Sequence, residues 1–204
     1  MKILNLYAGI GGNRKLWGDN HQITSVEHDQ NIADAYKTFY PEDKIVVCDA
    51  HEYLLKHFKE YDFIWSSPPC PTHSDIRRCG VHAGQYEAKY PEMDLYQQII
   101  LLQNFAPPGQ KWLVENVRPY YKPLIRPTSI INKHYFWSNF FIPEIKLKKN
   151  QLHNDVVESR TVYGFNINKT NIKNKRQVLR NLVDPIIGKH IFNSRDLEQQ
   201  IKLF

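Results

Sequence analysis

The apolar run Tyr61-Asp62-Phe63-Ile64-Trp65 leads into Ser67-Pro68-Pro69-Cys70. Proline lacks a backbone donor and fixes φ, so a strand that runs into two prolines cannot extend its ladder. The chain has to turn there, which places Cys70 at the carboxyl end of a buried strand. In open α/β sheets that edge is where ligands bind. Cys70 is therefore a candidate nucleophile, and a glycine-rich segment, Gly9-Ile10-Gly11-Gly12, lies well upstream of it.

The first half of the chain alternates strand and helix signals. Lys2 to Tyr7 reads as a strand, followed by the glycine loop and a helical stretch from Arg14 to Gly18. Ile23 to Glu27, Ile45 to Cys48, Phe63 to Trp65 and Trp112 to Glu115 read as further strands. Asn31 to Phe39, His51 to Phe58 and Asp94 to Phe105 have helical spacing, and Pro71 to about Pro91 reads as a long polar loop. Repeated strand–helix units predict a parallel sheet with helices on both faces. After Val117 the periodicity fails. Only Val162 to Ile167 then looks like a strand, and a helix-like segment returns from Arg176 to Phe192. Residues 1–120 are expected to form an α/β catalytic and cofactor-binding domain, 121–177 a short recognition region, and 178–204 a helix returning to the first domain.

A chain of 204 residues, 42% hydrophobic, is long enough for one substantial core. No run approaches the ~18 apolar residues of a membrane span, and Met1 to Ala8 reads as a strand, not as a signal peptide. Three cysteines are an odd count that argues against a disulfide framework and for a reducing cytoplasm. The net charge of +6 suits a polyanionic partner. The basic residues concentrate late, at Lys146, Lys148, Lys149, Lys169, Lys173, Lys175 and Arg176. Residues 146–177 are expected to contact the partner, with an ordinary solvated surface as the plainer reading.

Three strand ends together describe an adenosine site. Tyr7-Ala8-Gly9-Ile10-Gly11-Gly12 joins a strand to a helix, where glycines permit a tight turn and close approach of a ligand to the backbone. Glu27 ends the next strand, where an acid can accept both hydroxyls of a ribose. Asp49 ends the third, within reach of an adenine amino group; helix capping is the alternative role for both acids. Glu115-Asn116-Val117 ends the fifth strand on the same edge as Cys70, so its carboxyl group can exchange a proton with a substrate. A competing possibility is zinc on Cys70-x-x-His73 and Cys79-x-x-His82, although a structural metal would occupy the sulfur of Cys70.

In their order these motifs resemble a DNA (cytosine-5) methyltransferase. Tyr7-Ala8-Gly9-Ile10-Gly11 is similar to that family's F-x-G-x-G loop, Pro69-Cys70 to its Pro-Cys nucleophile, and Glu115-Asn116-Val117 to its Glu-Asn-Val. Asn181-Leu182-Val183-Asp184-Pro185 is similar to its Gly-Asn-x-Val-x-Pro, with Arg180 in place of the glycine. The resemblance covers nearly the whole chain. It implies a Rossmann-like S-adenosylmethionine-dependent sheet with a small, irregular C-terminal recognition segment. It also implies methylation of C5 of cytosine in double-stranded DNA, through base flipping and a covalent cysteine–C6 intermediate. The implied catalytic residues are Cys70 and Glu115. The implied cofactor contacts are Tyr7, Gly9, Gly11, Glu27, Asp49, Pro69, Asn181 and Val183. Arg77 and Arg78 lie in the loop expected to close on DNA.

The chain departs from the family in two places. Pro71 follows Cys70 where Gln is usual. The family's Gln-x-Arg-x-Arg, which brings an arginine to the base, is absent, leaving Arg126, Lys133, His134 or Arg160 as replacements. Relatives that act on tRNA, and a non-catalytic DNA-binding relative, are the alternatives. An amino-methyltransferase would carry an aromatic residue where Cys70 stands. Small size suits a restriction–modification gene of a bacterium or a phage-encoded enzyme.

Overall fold

The structure, a computed structural model, describes residues 1–145 and 161–197. Strands β1 (Lys2–Leu6), β2 (Gln22–Glu27), β3 (Lys44–Val47), β4 (Phe63–Ser66) and β5 (Lys111–Val117) run parallel. Between them lie α1 (Gln30–Phe39), α2 (Ala50–His57), α3 (Asp75–His82) and α4 (Asp94–Phe105). A hairpin of β6 (Ser129–Ile131) and β7 (His134–Ser138) completes a seven-stranded sheet of order β3-β2-β1-β4-β5-β7-β6. Only β7 runs against the rest. This is the Rossmann-like arrangement expected. The order also explains the site: the chain builds outwards from β1 on one side, then returns to pair β4 on the other. In open α/β sheets ligands bind where the order reverses, which in this chain is beyond the carboxyl ends of β1 and β4.

Both faces of the sheet are covered. Leu4, Leu6, Ile64, Val114 and Trp137 face α2 and α4, joining Leu54, Ile99 and Leu102. Ile3, Phe63, Trp65, Leu113 and Phe136 face the other way, where α6 (Pro185–Ser194) supplies Ile187, Ile191 and Phe192. Each such side chain contributes about 1.5–3 kcal/mol through burial. Trp17 stacks on Phe192 with ring centroids 4.9 Å apart, so α6 is fastened beside the glycine loop. At that seam a Cβ on Gly188 would lie 2.5 Å from the backbone oxygen of Asn13. Gly188→Ala is expected to cost about 2 kcal/mol by overpacking and to lower Tm by roughly 4–8 °C. An unchanged melting curve would refute this account of the seam.

Several local expectations need correction. Arg14 to Gly18 is not an α-helix; a single 3-10 turn spans Asn13–Leu16. The polar stretch after Pro71 contains α3, started by Ser74, whose hydroxyl accepts from the Arg77 amide. It is short and strongly polar, with Ile76 and Val81 its only large aliphatic residues, so it reads as a loop in the sequence. Residues 129–138, expected outside the sheet, lie in it. Phe136, Trp137 and Ser138 are all buried because this strand is covered on both faces, which erases the alternation that marks a half-exposed strand. Val162 to Ile167 is not one strand but a tight hairpin, β8 (Thr161–Val162) and β9 (Phe165–Asn166). Tyr163 and Gly164 turn it with φ of 51° and 79°, as a two-residue hairpin loop requires. The expected helix from Arg176 to Phe192 breaks into α5 (Lys175–Arg180) and α6, because Asp184 caps α6 and Pro185 starts it. Of the recognition stretch, 146–160 lies outside the described residues, with Lys146, Lys148, Lys149 and Arg160. So does 198–204 of the expected C-terminal segment.

Candidate active site

Strand register assembles the site. Leu6 pairs with Ser66, and Ser66 pairs with Val114. The chain therefore leaves β1 at Tyr7 and β4 at Ser67 beside Glu115, the residue of β5 at the same level, while β5 itself runs on to Val117.

The glycine loop is shaped by close contacts. Tyr7 and Gly9 take the left-handed conformation, with φ of 56° and 54°. A Cβ on Gly9 would meet nothing within 4 Å, so the backbone there is open to a ligand. Gly11 is needed for packing instead. A Cβ there would collide with the Tyr40 ring and lie 2.8 Å from Tyr36, so this glycine lets α1 pack against the loop. The Tyr40 hydroxyl donates to the Gly11 carbonyl at 2.8 Å. Glu27 is buried, and its Oε2 accepts the Gly9 amide at 3.0 Å. Its Oε1 accepts the amides of His28 and Asp29 at 2.9 and 3.1 Å. One carboxylate thus ties the ends of β1 and β2 together. Asp49 is exposed and caps α2, with Oδ1 accepting the Glu52 amide at 2.8 Å.

At the other lip, Pro68 is buried, Pro69 exposed and Cys70 half-buried. The Asn116 amide donates to the Pro68 carbonyl at 2.9 Å, while its oxygen accepts the Val117 amide. Asn116 therefore fixes the loop that carries Cys70 to the strand that carries Glu115. Burial pushes the Cys70 thiol up to about 11, and the Glu115 charge pushes the same way. Glu115 is itself buried, with Oε1 2.8 Å from Nδ1 of His134. Burial alone would discourage the charged form of His134, but the charge and hydrogen bond of Glu115 outweigh it and raise its pKa.

The sequence matches the family model of the C-5 cytosine-specific DNA methylase over residues 1–123. The chain belongs to this family. No curated protein matches it. Among solved structures it is similar to a variant of DNMT2 from Spodoptera frugiperda, at 25% identity and a TM-score of 0.39, covering 57% of this chain and 35% of that one. A second is a protein assigned as a DNA modification methyltransferase within a prophage (E. coli), at 22% identity and TM-score 0.38, covering 60% and 33%. A third is Dnmt2 of S. pombe, at 18% identity and TM-score 0.40, covering 57% and 34%. The chain spans about a third of the length of these structures.

Within this methylase chain, the C-terminal motif does reach the loop. A Cβ on Gly12 would lie 2.6 Å from the Val183 carbonyl and 2.8 Å from Leu182. Asn181 is exposed at the end of α5, and its side chain has no hydrogen bond among those of the described residues. The zinc alternative finds no support: among the described residues no group of three or more His, Cys, Asp or Glu is arranged to hold a metal, and Cys79 is exposed on α3. Nδ1 of His73 instead meets the Tyr121 hydroxyl at 2.5 Å. The α3 loop folds back on itself, with Tyr86 packed on Gly80 and Arg77 bonded to the Glu87 carbonyl.

Gln98 is a site residue that sequence reasoning missed. It is fully buried, accepts from Ser66 Oγ at 2.5 Å and donates to the Tyr7 hydroxyl at 2.8 Å. Burial drives the pKa of that hydroxyl upward, so it stays protonated. A signal was present: in α4 the glutamine falls on the same face as Leu95, Ile99 and Leu102, and a polar residue on a core face usually has a specific partner.

Proposed function

We propose that this methylase-family chain transfers a methyl group from S-adenosylmethionine to C5 of cytosine in double-stranded DNA, with Cys70 as nucleophile and Glu115 as proton donor. The observation that carries it is the meeting of Cys70 and Glu115 on one sheet edge, locked by the Asn116–Pro68 hydrogen bond. The residues present fit the cofactor. Gly9 offers open backbone, Glu27 an acceptor carboxylate at the end of β2, Asp49 an oxygen not used in capping, and Val183 a flank. Tyr7, Pro69 and Asn181 complete the proposed contacts, and Gly11 serves the same site by letting α1 pack against the loop. When bound, S-adenosylmethionine supplies an electrophilic methyl carbon on a sulfonium.

The chain's own groups do the rest. A cytosine inside a duplex is out of reach, so the base has to flip into the crevice. The Cys70 thiol passes its proton to the Glu115 carboxylate, the thiolate adds to C6, and the Glu115 carboxyl group hands that proton to N3, which places carbanion character on C5. After C5 is methylated, a base takes the C5 proton and the C6–S bond breaks to restore the ring, while the N3 proton returns by way of Glu115 to the Cys70 thiolate. In the resting site the raised thiol pKa keeps Cys70 protonated, so ionisation is tied to events in the occupied site.

The test is incubation of the full chain with labelled S-adenosylmethionine and mixed-sequence duplex DNA, single-stranded DNA or RNA, followed by nucleoside analysis. The expected product is 5-methylcytosine from duplex DNA. 5-Methylcytosine from RNA alone would replace the substrate assignment. Methylated amino groups, or no incorporation anywhere, would overturn the reaction.

A further inference from the structure

Glu115 presents a physical difficulty. A carboxylate buried beside a thiol opposes the ionisation that makes the thiol a nucleophile, and a buried charge needs a partner. The partner in this structure is His134. It enters at the first residue of β7, where it pairs in register with Val117 while Glu115 pairs with Phe136. Residues two apart share a face of a strand, so Glu115 and His134 lie diagonally on one face. Their 2.8 Å contact follows from that register. The turn before it, Asn132-Lys133, is pinned by the Arg118 amide donating to the Lys133 carbonyl at 2.7 Å, and Asn132 takes φ of 55° to make it.

We propose that His134 is the positioning residue of this site: as imidazolium it offsets the Glu115 charge beside Cys70 and orients that carboxyl group towards the base. The proposal rests on the reading of Cys70 and Glu115 given above. It separates this chain from a site built with a permanent cation, because an imidazolium can be titrated away. The groups facing His134 are few. β5 contributes Glu115, with Arg118 just beyond its end, the turn places Lys133 next in sequence, β6 pairs Ile131 with His134, and Cys70 is near Glu115 on the far side. Lys133 and Arg118 are exposed, so water screens them, and Glu115 is the close buried charge.

The sign is definite. Glu115 raises the pKa of His134, so the pair is neutral below that pKa and carries a net negative charge above it. The help this gives to thiolate formation at Cys70 is present below that pKa and fades as pH rises through it. A unit charge change several Å away in a partly buried site shifts a pKa by about one unit, or tenfold in thiolate.

The experiment follows iodoacetamide alkylation of Cys70 by peptide mass mapping, in cofactor-free protein, from pH 6 to 9.5, for wild type, H134Q and H134R. Mapping keeps Cys48 and Cys79 separate. The wild-type rate should exceed that of H134Q by about tenfold near pH 6.5, and the ratio should fall towards one by pH 9. H134R should exceed H134Q by about tenfold throughout. A wild-type to H134Q ratio independent of pH, or an arginine variant no faster than H134Q, overturns the proposal. Melting curves guard against misfolding, and H134R gives a second route if H134Q is unstable. In methyl transfer to duplex DNA, the wild-type rate should fall on the alkaline side, and H134R should remove that fall. If no methyl transfer occurs at any pH, the proposed function fails, while the alkylation ratios still decide the role of His134.

Discussion

Cys70→Ser is expected to abolish methyl transfer, by at least about 10³-fold, or ~4 kcal/mol of barrier. A hydroxyl is far less acidic than even a thiol raised to about 11, so no useful fraction of alkoxide is available to attack C6. The substitution is nearly isosteric in a half-buried position, so the melting temperature should hardly move. DNA carrying 5-fluorocytosine separates a nucleophile from a merely structural thiol. After addition to C6 and methylation of C5, fluorine cannot leave as a proton does, and the C6–S bond persists. The wild-type chain should form a denaturant-resistant complex that maps to Cys70, and Cys70→Ser should form none. Cys79→Ser should keep both activity and trapping, because Cys79 is exposed on α3. An active Cys70→Ser chain, or a trapped peptide containing Cys79, would dismiss the mechanism.

The elements that were legible in the sequence are those whose chemistry is local. Buried parallel strands read as short apolar runs, and α4 was found from Asp94 to Phe105 because its apolar face repeats at helical spacing. Pro68 and Pro69 announced the end of β4 from their covalent structure alone. The β6–β7 hairpin was not legible. Its strands are short, and the one between β5 and β6 is buried on both faces, so only pairing with β5 stabilises them as strands. The same holds within the site. Glu27, Cys70 and Glu115 stood at predicted strand ends and could be named there. His134 appeared only as one of four replacements for an arginine, because its partner is set by a register that no local pattern encodes. Gly11 appeared as part of a cofactor loop, yet its closest neighbours are Tyr36 and Tyr40, a packing role visible only once α1 is in place.

Glu27→Ala is expected to do more damage than Asp49→Ala, although both acids lie on the cofactor side, Glu27 ending β2 and Asp49 starting α2 just after β3. The Glu27 carboxylate is buried and accepts three backbone amides, from Gly9, His28 and Asp29. Alanine leaves those donors without their acceptor. Each unsatisfied buried donor costs about 1–3 kcal/mol, and partial rehydration of the vacated space lowers the sum to about 2–4 kcal/mol. Gly9 also loses the contact that holds it at φ of 54°. S-adenosylmethionine affinity should therefore fall at least about a hundredfold, ~2.7 kcal/mol. Glu27→Gln should not rescue it fully: one amide oxygen can serve Gly9, but the NH₂ group then faces the donors of His28 and Asp29. Asp49 is exposed and accepts a single amide as a helix cap. Its removal should cost about 1 kcal/mol of stability and about tenfold in affinity through the lost adenine contact. Calorimetric titration with melting curves on the three variants decides the matter. Wild-type affinity in Glu27→Ala, or a larger loss in Asp49→Ala, would move the cofactor away from the β1 and β2 edge and leave Glu27 as a purely structural clamp.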